Sequence, residues 1–112
     1  MSRLTEKATA FVAAIVNGKA SSAHEMLRSD LADEIDVADL KTQFDAMADD
    51  MGGVMNIGEA MIILDDWPGK APDELAIVCV PLEGDVYSEA ITVTLANFGD
   101  ALCISNIEWG RP

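Results

Sequence analysis

Glu89 and Tyr87 stand two residues apart in a run that reads as a β-strand. Alternation along a strand sends both to one face, together with Ile91, Val93 and Leu95. A carboxylate on an apolar face has its charged form disfavoured and can exchange a proton as a general acid or base. The tyrosine hydroxyl would then serve as donor. The plainer reading is a rim carboxylate at the start of a strand, where the face still meets water. His24 is the single histidine, beside Glu25. As a proton carrier it needs a pocket and a partner; otherwise it marks a helix boundary. Phe44, Trp67 and Trp109 join Tyr87 and Glu89 as the candidate ligand-binding set. Trp67 reads as an exposed anchor or a lid over the sheet, and Trp109 as packing at the sheet end.

Metal chemistry has little to work with. One histidine without a cysteine cluster does not make a typical zinc site. Asp65-Asp66 faces Asp73-Glu74 across a loop but lacks calcium-loop spacing, so that loop reads as solvated. The sequence holds no glycine-rich phosphate loop, nucleophile elbow or His-Glu-x-x-His. The expectation is no metal and no cofactor.

Helices come first among the elements that position these residues. Leu4, Ala8, Phe11, Val12 and Ile15 predict a helix from about Ser2 to Val16, with Ser2 as N-cap and Asn17-Gly18 as its stop. A second helix is expected over Ser21–Ser29, with Ala23, Met26 and Leu27 inward and Asp30–Glu34 as a turn or short helix. Asp36 caps a third, Val37–Met51, with Asp39 completing a near capping box. Val37, Leu40, Phe44, Met47 and Met51 form its stripe, and Gly52-Gly53 ends it.

Strands follow, at Val54–Leu64, Leu75–Leu82, Val86–Ala96 and Leu102–Trp109. A Pro- and Gly-bearing loop, 65–72, separates the first two. Short connections make the last three antiparallel. The fold class expected is therefore α+β, one domain over 1–112, with three N-terminal helices on a curved four-stranded antiparallel sheet.

Composition narrows the partners. Of 112 residues, 50% are hydrophobic and 24% charged, and the net charge is −13. That field repels phosphate backbones and anionic lipid surfaces, so neither nucleic acid nor membrane is expected as partner. It serves solubility, or attraction to a basic protein. No apolar run approaches the roughly 18 residues of a membrane span. Arg3 and Lys7 before Ala8–Val16 mimic a leader, but Glu6 is out of place there and no small-x-small site follows. Cys79 and Cys103 read as buried free thiols in a reducing cytoplasm, a single bridge between them being the alternative.

The strand faces carry the most information. Ala90, Thr92 and Thr94 oppose Ile91, Val93 and Leu95. Leu75, Ile77 and Cys79 oppose Ala76, Val78, Val80 and Leu82. Met61 and Ile63 oppose Ala60, Ile62 and Leu64. A sheet with one wet face alternates apolar and polar residues; this one mostly does not. Helices cover one face, and a second copy is expected over the other, in a two-fold dimer.

The run Ala10-Phe11-Val12-Ala13-Ala14-Ile15-Val16-Asn17-Gly18-Lys19, then Ala23-His24-Glu25-Met26-Leu27, is similar to helical starts in small bacterial members of the nuclear-transport-factor-like, or cystatin-like, α+β cone superfamily. Asp39-Leu40-Lys41 and Phe44 before Gly52-Gly53 fit its third helix. The resemblance rests on element order and apolar spacing over nearly the whole chain. It implies a sheet wrapped round a helix, a pocket at the open end of the cone and dimerisation through the outer sheet face. Some members are isomerases or dehydratases, and many are non-catalytic binding domains. The reading adopted is a non-catalytic, cytoplasmic homodimer that binds a small apolar ligand or a protein. The alternatives are an acid–base enzyme using Glu89 and Tyr87, and an acidic antitoxin-like protein that captures a basic partner.

Overall fold

The computed structural model describes residues 3–110; the expected cap at Ser2 lies outside them. The apolar stripe of the first helix produces α1, Arg3–Val16, which buries Ala8, Phe11, Val12 and Ile15. The expected second helix is interrupted: α2 covers only Ala20–His24, and α3 follows at Ser29–Glu34. The interruption has a long-range cause. Leu27 leaves the helix to form a parallel bridge with Ile104. Arg28 N donates to Ile104 O at 2.7 Å, and Ile104 N to Met26 O at 2.9 Å. The helical spacing of Ala23 and Leu27 survives as burial, with Leu27 and Leu31 both in the core.

Helix α4, Val37–Asp50, begins on the expected capping box. Asp36 Oδ1 accepts from Asp39 N at 2.8 Å, so one of the four orphan N–H groups of the first turn is satisfied. Leu40, Phe44 and Met47 face the core. At Gly52 (φ +80°) the chain turns so tightly that a Cβ would stand 2.6 Å from Val86 Cγ2. Glycine is required there on both counts.

Five strands, not four, make the sheet. The expected long first strand splits into β1, Val54–Ile57, and β2, Met61–Leu64. Gly58 N donates to Pro81 O at 2.8 Å between them. Both pair antiparallel with β3, Glu74–Gly84, one after the other along the same edge. β4, Glu89–Phe98, and β5, Ala101–Trp109, complete the order β1-β3-β4-β5, with β2 also on β3. β4 starts three residues later than its apolar run suggested, because Val86 N donates to Met51 O at 2.9 Å and holds the hairpin against α4. The core lies between helices and sheet: Phe11, Val12, Leu40 and Met51 meet Ala76, Val78, Val80, Leu82, Ile91, Val93, Leu95 and Ile104. The class is α+β with an antiparallel open sheet. No described helix is long and apolar enough to cross a membrane.

Candidate functional site

The acid–base candidates do not form one constellation. Glu89 pairs with Leu82 in the β3–β4 ladder, so it faces the helix side as its position predicts. It is half-buried. Tyr87 precedes the ladder and is 41% exposed; strand alternation no longer ties it to Glu89's face. His24 is committed elsewhere. Its Nε2 lies 2.7 Å from Ile35 O and 3.2 Å from Ala32 O. Carbonyls only accept, so this nitrogen carries the proton and donates to the C-terminal end of α3. That contact pins α2 to α3.

Two of the aromatic candidates do meet. Phe44 of α4 and Trp109 of β5 stack with centroids 6.4 Å apart and planes tilted by 56°. Trp109 Nε1 donates to Gln43 Oε1 at 2.7 Å, which fixes the indole against the helix. Phe44 also borders a cavity of about 120 Å³, with Ile15, Val16, Gly18, Ala20, Lys41 and Asp45. Drug-sized ligands occupy roughly 300–1,000 Å³, so this space takes only a fragment. Trp67 stands in the β2–β3 loop, half-buried, with Lys70 Nζ 6.0 Å from its ring centroid.

The acids of that loop are drawn in different directions. Arg28 Nη1 donates to Asp73 Oδ2 at 2.7 Å, and its Nε and Nη2 grip Asp30 bidentately at 2.8 and 2.9 Å. The Asp30 hydrogen bonds are the largest cause of the rise in the Arg28 pKa, and the same bonds hold the Asp30 carboxyl below its ordinary value. Glu74 Oε1 accepts from Ala71 N. Among the described residues no group of three or more His, Cys, Asp or Glu is close enough to hold a metal ion.

Both cysteines are free and buried. Register places Cys79 opposite Thr92 and Cys103 opposite Ala96, on either side of β4 and four residues apart along it, too far for the single bridge left open by the sequence. Burial raises the Cys103 thiol, and its Sγ donates to Ala96 O at 3.4 Å. A thiol in that state is a poor nucleophile.

The outer sheet face is the most unusual surface. Register lays out two rows across it: Met61, Cys79, Thr92, Glu108, and then Leu64, Ile77, Thr94, Asn106. Leu64 joins Met61's side, not Ile62's, because a bulge between Ile62 and Leu64 shifts the register. Cys79, Ala90, Thr92, Thr94, Ala96 and Cys103 are all under 9% exposed, yet none belongs to the helix-facing core. They form a second dry patch drawn from β3, β4 and β5 alone. The Thr92 Oγ1 is buried without a hydrogen-bond partner among the described residues. Beside the patch, Met61, Ile62, Ile63 and Leu64 are 54, 42, 38 and 46% exposed.

Strand alternation anticipated the small, uncharged side chains that β4 turns to the outer face. It missed how far β2 projects into solvent, since an apolar run reads the same whether buried or bare. It also missed the orphaned hydroxyl, which only packing can reveal. Neither a protein-family model nor a curated protein nor a solved structure matches this chain.

Proposed function

We propose that this chain is a non-catalytic protein-interaction domain of the cystatin-like α+β cone type, working as a homodimer through the outer sheet face. The observation that carries the reading is the second dry patch: six buried small residues and a stranded Thr92 hydroxyl on a face that no core helix residue joins. Buried polar groups are hydrogen-bonded in nearly all native structures. A two-fold copy laid on this face covers the exposed Met61 and Leu64 beside the dry patch. The middle of the face carries no charge: its acids, Glu108 on β5 and Glu74 and Glu83 at the two ends of β3, lie at the rim, where they can stay solvated despite the net charge of −13.

The dispersal of His24, Tyr87 and Glu89 favours binding over acid–base catalysis. The aromatic candidates Phe44 and Trp109 do not frame a drug-sized site, since the cavity beside Phe44 is about 120 Å³. Free thiols at Cys79 and Cys103 fit the reducing cytoplasm. Sedimentation equilibrium at micromolar concentration tests the dimer. Wild type is expected as a dimer and Thr94→Arg, which sets a charge in the centre of the patch, as a folded monomer. A wild-type monomer at high micromolar concentration refutes the reading.

A further inference from the structure

We propose that β2 is an open sheet edge that receives an extended, apolar segment of a partner protein whose flanks are basic. Among the described strands only β3 pairs with β2, so the other side of Met61–Leu64 offers unused backbone donors and acceptors. All four side chains are substantially exposed. A contiguous apolar patch of this kind is uncommon on a monomer and marks interaction sites. Free strand edges are templates for strand addition.

Charge selects the occupant. Glu59 precedes the strand and Asp65-Asp66 follows it. Among the described residues none of the three has an ion-pair partner; the Arg28 and Lys41 pairs lie elsewhere. A second copy of the chain is disfavoured here. Antiparallel two-fold pairing of β2 with itself puts Glu59 of one copy against Asp65 or Asp66 of the other, and like charges opposed across strands are destabilising. A segment with Lys or Arg at both ends instead answers both acidic flanks while its apolar centre covers Met61–Leu64. The backbone edge used here is separate from the outer face, but the side chains of Met61 and Leu64 belong to both, so a second copy on that face competes with the segment for those two side chains while leaving the backbone edge open.

The test is binding of the peptide Lys-Arg-Val-Thr-Val-Ile-Thr-Val-Arg-Lys to the isotopically labelled full chain, followed by NMR titration. Shift changes are expected to centre on Met61–Leu64. Affinity should be at least ten-fold greater than for the same peptide with glutamate flanks, and should fall with salt. N-methylation of alternate peptide amides, which removes the ladder donors, should abolish binding. The triple variant Glu59→Lys, Asp65→Lys, Asp66→Lys keeps the edge and reverses its flanks, and should prefer the glutamate-flanked peptide. Equal affinity for the two peptides, an unreversed preference in the variant, shifts centred on β5, or β2–β2 contacts between copies without peptide would each overturn the proposal.

Discussion

Thr92→Val is the sharpest probe of the outer face. Thr92 is 3% exposed and its hydroxyl meets no acceptor among the described residues. Leaving such a group buried and unsatisfied costs about 1–3 kcal/mol. Valine replaces the hydroxyl with a methyl group and also suits a strand. The variant should therefore gain about 1–2 kcal/mol in the isolated chain. With a urea slope of about 1–2 kcal/mol/M, the midpoint rises on the order of 1 M. The assay is urea unfolding at a dilute concentration where the chain is monomeric. The hydroxyl is already sealed within one chain, so a second copy on the face does not reach it and the same substitution should leave the dimer Kd unchanged. Thr94→Val at the neighbouring position controls for a general change in strand propensity, and should gain less than Thr92→Val. A neutral or destabilised Thr92→Val monomer would refute the premise that the hydroxyl is stranded.

Two further substitutions test how the elements are tied. A Cβ at Gly84 would collide with the backbone oxygens of Met51 and Tyr87, and would stand 2.9 Å from Met51 Cε; Gly84→Ala should cost about 1–3 kcal/mol in urea unfolding. Arg28→Met should lower Tm by a few degrees at neutral pH, because it releases Asp73 and Asp30 together. The folded Asp30 carboxyl lies below its unfolded value, so its contribution is present above the ordinary aspartate range and is lost as pH falls through the folded value. Thermal melts of wild type and Arg28→Met should therefore converge in the acid range. A gap that stays constant down to pH 2 would count against the Arg28–Asp30 bond.

Local signals located the parts of the fold that depend on local physics. The capping box at Asp36 and Asp39 forms as read, and the stop at Gly52-Gly53 comes within one residue of its reading. Strand alternation assigned Ile91, Val93 and Leu95 to the core and Thr92 and Thr94 to the opposite face, as the contacts confirm. The misreadings share one cause, which is a partner distant in sequence. Leu27 looked helical until Ile104 claimed it. Val86 looked like strand, yet its N–H is spent on Met51 O. The meeting of Phe44 with Trp109 depends on α4 docking beside the last strand, which no short-range pattern encodes. Surface position is the least legible property. Met61–Leu64 is as apolar as a core strand, and only its place at the margin of the sheet leaves it bare.

The parallel bridge between Leu27 and Ile104 has a bearing on how assembly ends. It seats the chain's own backbone midway along β5, so that margin is already occupied at its centre. Lateral pairing along that margin is interrupted there, whereas among the described strands nothing pairs with the outer side of β2. A sheet that can be extended from one side alone cannot polymerise head to tail. A bridge in the middle of one margin works against growth of that kind, even with an apolar ribbon bare at the other.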